Sequence, residues 1–210
     1  VSSRDGGDAA RAALDRLREG NRRYVAGEWS IDRLASESRR AALVDGQNPF
    51  AIILGCSDSR VPAEIVFGQG LGDLFVIRVA GNVVAPSLVG SVEFAAQAFG
   101  TRLVVVMGHT DCGALAATLA ALERPEETGS KNLRSIVDRI RPSFDALMAT
   151  ELRHDRDALL REAGRANVRA SVDHLRHGSE ILERLIAEDG LLVVGAEYSI
   201  ASGQVEFLDR

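Results

Sequence analysis

Two short stretches of the 210-residue chain carry residues able to do chemistry together. The first, Cys56-Ser57-Asp58-Ser59-Arg60, sets a thiol, a carboxylate and a guanidinium at alternate positions after the apolar run Ala51-Ile52-Ile53-Leu54. The second, His109-Thr110-Asp111-Cys112, follows another apolar run, Leu103 to Gly108. The chain has two cysteines, and both stand here. Two thiolates and an imidazole suit zinc, which takes Cys and His at four-coordinate sites and keeps one position open when it is catalytic. Asp58 is the local candidate for a fourth ligand. Arg60, two residues on, competes for that carboxylate through charge-assisted hydrogen bonds, so the pair reads as a gate. Gly113 opens an alanine-rich helix whose positive end should favour the Cys112 thiolate. The same residues also admit two inert buried cysteines, a Cys56–Cys112 disulfide or a closed structural zinc.

The elements around these stretches must bring them together. Ala51–Gly55, Leu74–Val79, Leu103–Gly108 and Leu191–Ala196 are short, continuously apolar and mostly β-branched, the pattern of parallel strands buried on both faces. Helical patterns separate them, at about 87–99, 113–122, 133–149 and 165–188. Val205-Glu206-Phe207-Leu208 follows closely enough to return as an antiparallel edge. The expected fold is α/β: a mostly parallel sheet of about four strands plus an antiparallel edge strand, flanked by helices. Residues 1–46 form an N-terminal helical arm and 47–210 the core of a single domain. Within the arm, Ala9 to Ala26 is an amphipathic helix interrupted near Gly20-Asn21, and a second helix spans about 34–44. Cys56 and His109 then lie past the ends of two strands on one edge, where open α/β sheets bind ligands.

Composition narrows the partners. A net charge of −5 supplies no basic stripe for nucleic acid, and an anionic membrane is an equally poor partner. No window reaches the ~20 apolar residues of a membrane span, and the first residues lack the apolar core of a signal peptide, so the chain reads as cytoplasmic. His154, His174 and His177 have no thiol or carboxylate set beside them and read as surface or packing residues. Gly68-Gln69-Gly70-Leu71-Gly72 leads into a strand rather than a helix and reads as a turn, not a phosphate loop. Trp29 reads as an anchor of the arm. The acidic pair in the polar loop 124–130 reads as solvated.

The chain resembles the β-class carbonic anhydrases in Cys56-Ser57-Asp58-Ser59-Arg60-Val61, Glu64, Gly72-Asp73-Leu74-Phe75-Val76-Ile77-Arg78, Ala80-Gly81-Asn82 and Gly108-His109-Thr110-Asp111-Cys112-Gly113. The resemblance implies one zinc per chain on Cys56, His109 and Cys112, with Asp58 joining in a closed state. It implies reversible hydration of carbon dioxide to bicarbonate and a proton, and a homodimer or homotetramer. Gln47, nine residues before Cys56, matches the family glutamine that hydrogen-bonds substrate. Gly113, Val61, Phe75 and Phe94 are expected to wall the pocket, Phe94 standing where many members carry tyrosine. The resemblance also implies an N-terminal helix extended onto a partner subunit. Some bacterial members bind inhibitory bicarbonate with tryptophan, arginine and tyrosine; Arg78 and Tyr198 match two of these, while Ile53 replaces the tryptophan. In the expected mechanism the metal acidifies water for attack on carbon dioxide, and Asp58, paired with Arg60, orients the nucleophile. Two rival readings are a non-catalytic bicarbonate or carbon dioxide sensor that retains zinc, and a hydrolase of carbon disulfide or carbonyl sulfide.

Overall fold

Four apolar runs and the short return after them become five strands: β1 (Ala51–Cys56), β2 (Leu74–Val79), β3 (Leu103–His109), β4 (Leu192–Tyr198) and β5 (Val205–Leu208). The computed structural model describes residues 3–124 and 130–208. The strands lie in the order β2-β1-β3-β4-β5, parallel except for the antiparallel β5. Every residue of β1 and β3 is buried, because helices cover both faces of these central strands. Chain order departs from spatial order at β1: the chain leaves β1 for β2 on one side and returns as β3 on the other. That reversal opens a crevice at the carboxyl edge between β1 and β3.

The helices are α1 (Ser3–Val25), α2 (Ile31–Leu34), α3 (Glu37–Ala42), α4 (Ala63–Val66), α5 (Pro86–Ala98), α6 (Gly113–Glu123), α7 (Lys131–Ile140), α8 (Pro142–Met148), α9 (Arg156–His177) and α10 (Glu180–Glu188). Three of the expected helices are each two. The segment 133–149 divides at Pro142, whose missing N–H and fixed φ suit a helix start. The segment 165–188 begins earlier, at Arg156, and breaks at Gly178, after which the Ser179 hydroxyl caps α10 by accepting from the Leu182 amide. The expected helix over 34–44 is α2 followed by α3.

The arm also departs from expectation. Helix α1 runs unbroken through Gly20 and seats on its own chain: Ala13, Leu14 and Leu17 pack with Ile53, Val66 and Phe67. Gly20 is required there, since a Cβ would collide with the Phe67 carbonyl. Asn21 fixes the seat, donating to the carbonyls of Val66 and Gly203 and accepting from the Val205 amide. The apolar face thus has its partner within one subunit. Trp29 rests against Tyr24 with ring centroids 5.8 Å apart. The acidic pair of the loop 124–130 lies outside the described residues.

Candidate metal centre

The turn after β1 and the turn after β3 meet at the carboxyl edge. Cys56 ends β1, His109 ends β3, and Cys112 precedes the first turn of α6. Their ligand atoms all lie within 4.8 Å of one another, and all three residues are buried. Apolar side chains back the sulfurs, among them Val83, Leu115, Ile140 and Phe144.

The imidazole is held in one tautomer. His109 Nδ1 lies 2.8 Å from the Thr110 carbonyl, which can only accept, so Nδ1 carries the proton and Nε2 presents a lone pair. Nε2 has no hydrogen-bond partner among the described residues although it is fully enclosed. An orphaned buried acceptor beside two thiols is what a metal ligand looks like without its ion.

The charges point the same way. The Cys56 thiol is pulled down to about 4 by the Cys112 thiol, by His109 and by the amides of Asp58 and Gly81, against the cost of burial. The Gly81 amide stands 3.4 Å from Cys56 Sγ, an approach that the positive φ of Gly81 makes possible. Cys112 is pushed up, first by the neighbouring Cys56 and then by burial, and the amides of Leu115 and Ala114 at the start of α6 offset only part of this. The helix start thus favours a Cys112 thiolate as expected, but less than the neighbouring sulfur and burial oppose it. Burial resists charging of His109, but Cys56, the Thr110 carbonyl and Asp58 together raise it. The cluster accommodates one negative charge readily and a second only beside a cation. A dication that takes thiolate and imidazole meets both the donor set and this charge, and zinc fits.

Asp58 stands at the rim, held by Arg60. The Arg60 Nε and amide donate to Oδ1, both at 2.9 Å, and Nη2 donates to Oδ2 at 2.7 Å. Arg60 Nη2 also reaches the Asp111 carbonyl at 3.2 Å, tying the first turn to the second. The Arg60 guanidinium holds the Asp58 carboxyl well below the usual carboxylate range. Oδ2 remains 3.9 Å from His109 Nε2.

The other expected site residues divide. Gly113 opens α6 with empty space where a Cβ would stand. Val61 is buried in the core on the α1 side, its amide donating to the Asp58 carbonyl, rather than forming an open wall. Phe75 and Phe94 are not at the centre within this chain. Phe75 pairs with Ile52 at the start of β1, whereas Cys56 pairs with Val79 at its end. Phe94 packs on Phe75 with centroids 6.1 Å apart and is 56% exposed. Gln47, exposed, precedes β1 on that same amino-terminal edge. The anion site of some bacterial relatives is not assembled: Ile53 is fully buried, Tyr198 meets Tyr24, and two strands separate β2, which carries Arg78, from β4, which carries Tyr198. His154, His174 and His177 stand apart from the cluster. Sequence reasoning missed the Thr110 carbonyl and the Gly81 amide; the glycine of Ala80-Gly81-Asn82 was the available signal for the second.

Comparison with known proteins agrees with this geometry. A family model described as carbonic anhydrase matches residues 51–205. A carbonic anhydrase of Mycolicibacterium smegmatis is 40% identical over 93% of this chain and 91% of its own length. Carbonic anhydrase 2 of Mycobacterium tuberculosis is 40% identical over 95% and 93%. Among solved structures, a β-carbonic anhydrase of Aspergillus fumigatus superposes with a TM-score of 0.73 at 31% identity, covering 82% of this chain and 81% of that one. One described as tetrameric, from Sordaria macrospora, gives 0.74 at 26% identity, covering 83% and 88%.

Proposed function

We propose, on the premise that the chain belongs to the β-carbonic anhydrase family, that it hydrates carbon dioxide reversibly at a zinc held by Cys56, His109 and Cys112, in a pocket completed by a second copy of the chain. The observation that carries this reading is the convergence of two buried thiols and the orphaned Nε2 of His109 at one point of the sheet edge. Zinc, when bound there, supplies the Lewis acid that makes a water-derived nucleophile available near neutral pH. The chain supplies the rest. Asp58, locked on Arg60, keeps acceptor capacity on Oδ2 toward the ligand cluster and orients the nucleophile by accepting its proton in a hydrogen bond. Arg60, through the Asp111 carbonyl, keeps that orientation fixed relative to the second ligand turn. Released from Arg60, Asp58 would occupy the open metal position and close the site.

Assembly follows from the split between the two edges. Gln47, Phe75 and Phe94 stand on the amino-terminal edge, opposite Asp58 and Gly113, and cannot meet substrate in the same subunit. A two-fold axis perpendicular to the strands that sets β2 or α5 against its symmetry mate runs the sheets antiparallel and brings the amino-terminal edge of one copy to the carboxyl edge of the other. A homodimer is thus the smallest complete unit. A homotetramer pairs two of these, and a solved relative is described as tetrameric. No helix among the described residues is long and apolar enough to cross a membrane. Two free buried cysteines fit a reducing cytoplasm.

Metal analysis and stopped-flow hydration of the purified protein test this reading. One zinc per chain with carbon dioxide hydration is expected. Zinc without turnover would favour the sensor, and hydrolysis of carbonyl sulfide or carbon disulfide without hydration would favour the third reading.

A further inference from the structure

Arg78 has no part in the mechanism so far, yet it touches the turn on which that mechanism depends. It is the penultimate residue of β2, beside Gly55 in the parallel ladder. Its Nε donates to the Cys56 carbonyl at 3.0 Å, and its Nη2 donates to the Asp58 carbonyl at 2.6 Å. One planar guanidinium therefore spans the carbonyls of a zinc ligand and of the gate residue. The β2 end adds a third hold, since the Ser57 amide donates to the Val79 carbonyl at 3.1 Å. These hydrogen bonds run to backbone carbonyls rather than to the sulfurs or the Asp58 carboxylate, so the hold is on the turn's backbone.

We infer that Arg78 is a positioning residue for the reaction, clamping the Cys56–Asp58 turn so that the Cys56 sulfur and the Asp58 carboxylate keep a fixed relation to each other. The inference rests on the reading of the site as a zinc centre gated by Asp58 and Arg60. The side chain of Asp58 leaves a backbone whose carbonyl Arg78 holds on one side, and whose neighbour Arg60 holds the carboxylate on the other. Loosening the first hold lets the carboxylate swing without removing any metal ligand. The two donors must lie in one plane at a fixed separation, which a guanidinium offers and a single ammonium does not. Charge alone would not reproduce the clamp.

The test compares the full-length wild type with Arg78→Lys and Arg78→Gln, the lysine variant keeping the charge and a long stem so that folding is preserved. Four quantities are read at one alkaline pH: zinc per chain, kcat and KM for hydration, the visible spectrum of the cobalt(II)-substituted protein, and amide exchange at residues 57–61. Both variants are expected to keep the metal, to lose kcat by ~10–100-fold with KM little changed, to show an altered cobalt band, and to exchange faster at 57–61. Wild-type kcat, spectrum and exchange in either variant would overturn the clamp; for Arg78→Lys alone, that result would assign the role to charge. Loss of metal from both variants would overturn it too, by making Arg78 a determinant of metal retention instead. A wild type that takes up no cobalt would instead refute the zinc reading.

Discussion

The two edges of the sheet are built differently. At the carboxyl edge every chemical group is enclosed or held: the sulfurs are buried, His109 is locked by Thr110, and Asp58 is gripped by Arg60. At the amino-terminal edge Gln47 and Phe94 stand exposed, with the rings of Phe75 and Phe99 against Phe94. The ligand cluster is thus assembled within one chain, while on the proposed reading the residues expected to receive substrate meet it across a subunit interface. Metal binding and catalysis should therefore respond to different mutations.

Removing a ligand is the harshest way to probe the finished edge. Cys56→Ser, His109→Ala and Cys112→Ser should each lower zinc affinity by more than ~100-fold and abolish hydration, read by elemental analysis and stopped flow. Full occupancy in any of them would break the ligand assignment. Next in size is the gate. Arg60→Ala should keep one zinc per chain and lose ~10²–10⁴-fold in turnover, because Asp58 is freed to close the site. Wild-type turnover in this variant would sink the gate while leaving the metal in place.

The pH dependence sharpens the same distinction. Asp58 is depressed by Arg60, so the stabilisation from their pairing is present above the ordinary carboxylate pKa and lost only as pH falls through the depressed value. Protonation of Asp58 therefore cannot shape the rate across the neutral range. Two thiolates neutralise the dication and leave water less acidified than at an all-histidine zinc, so activity should be low at mildly acidic pH and rise through the alkaline range. A flat pH–rate profile would contradict this. In the metal-free protein the two adjacent buried sulfurs oppose each other's ionisation, so zinc uptake near neutrality should release at least one proton per ion, measurable by calorimetry in buffers of different ionisation enthalpy.

The open edge should respond more mildly. Phe94→Ser should weaken subunit association by about 2 kcal/mol, roughly 30-fold in dimer Kd, with zinc content unchanged. Sedimentation velocity across a dilution series would show it, and an unaltered dissociation profile would remove Phe94 from the interface. Smallest of all, His174→Ala and His177→Ala should leave zinc and turnover as they are.

Much of this was legible in the sequence where one physical constraint dominates. Continuous apolar runs mark the four parallel strands close to their observed limits, and β5 follows as the short return after them. The ligand set was legible because Cys56 and His109 end buried strands that the topology makes neighbours, and Cys112 stands in the turn that follows the second. Helix ends were less so, since apolar periodicity runs on through Pro142 and Gly178 while the backbone does not. Gly20 marked an interruption by propensity, yet close contact with the Phe67 carbonyl makes it part of a continuous helix. Gln47, Phe75 and Phe94 could be matched to a family pattern, but a pattern in one chain carries no record of which subunit each residue serves. The clamp of Arg78 on two carbonyls was equally hidden, because backbone acceptors leave no mark in a sequence.

The claim that one chain makes the metal centre and two make the pocket is tested most directly by mixing inactive subunits. Cys56→Ser lacks the metal but keeps Gln47 and Phe94, whereas the double variant Gln47→Ala/Phe94→Ala keeps the metal and lacks the facing wall. Co-expressed under separate tags and purified through both, the mixed assembly holds sites that combine an intact metal centre with an intact wall. The account predicts hydration activity well above the sum of the two parents, with zinc only on the chains that retain Cys56. Activity no greater than that sum, in a mixed assembly shown to contain both chains, would contradict it.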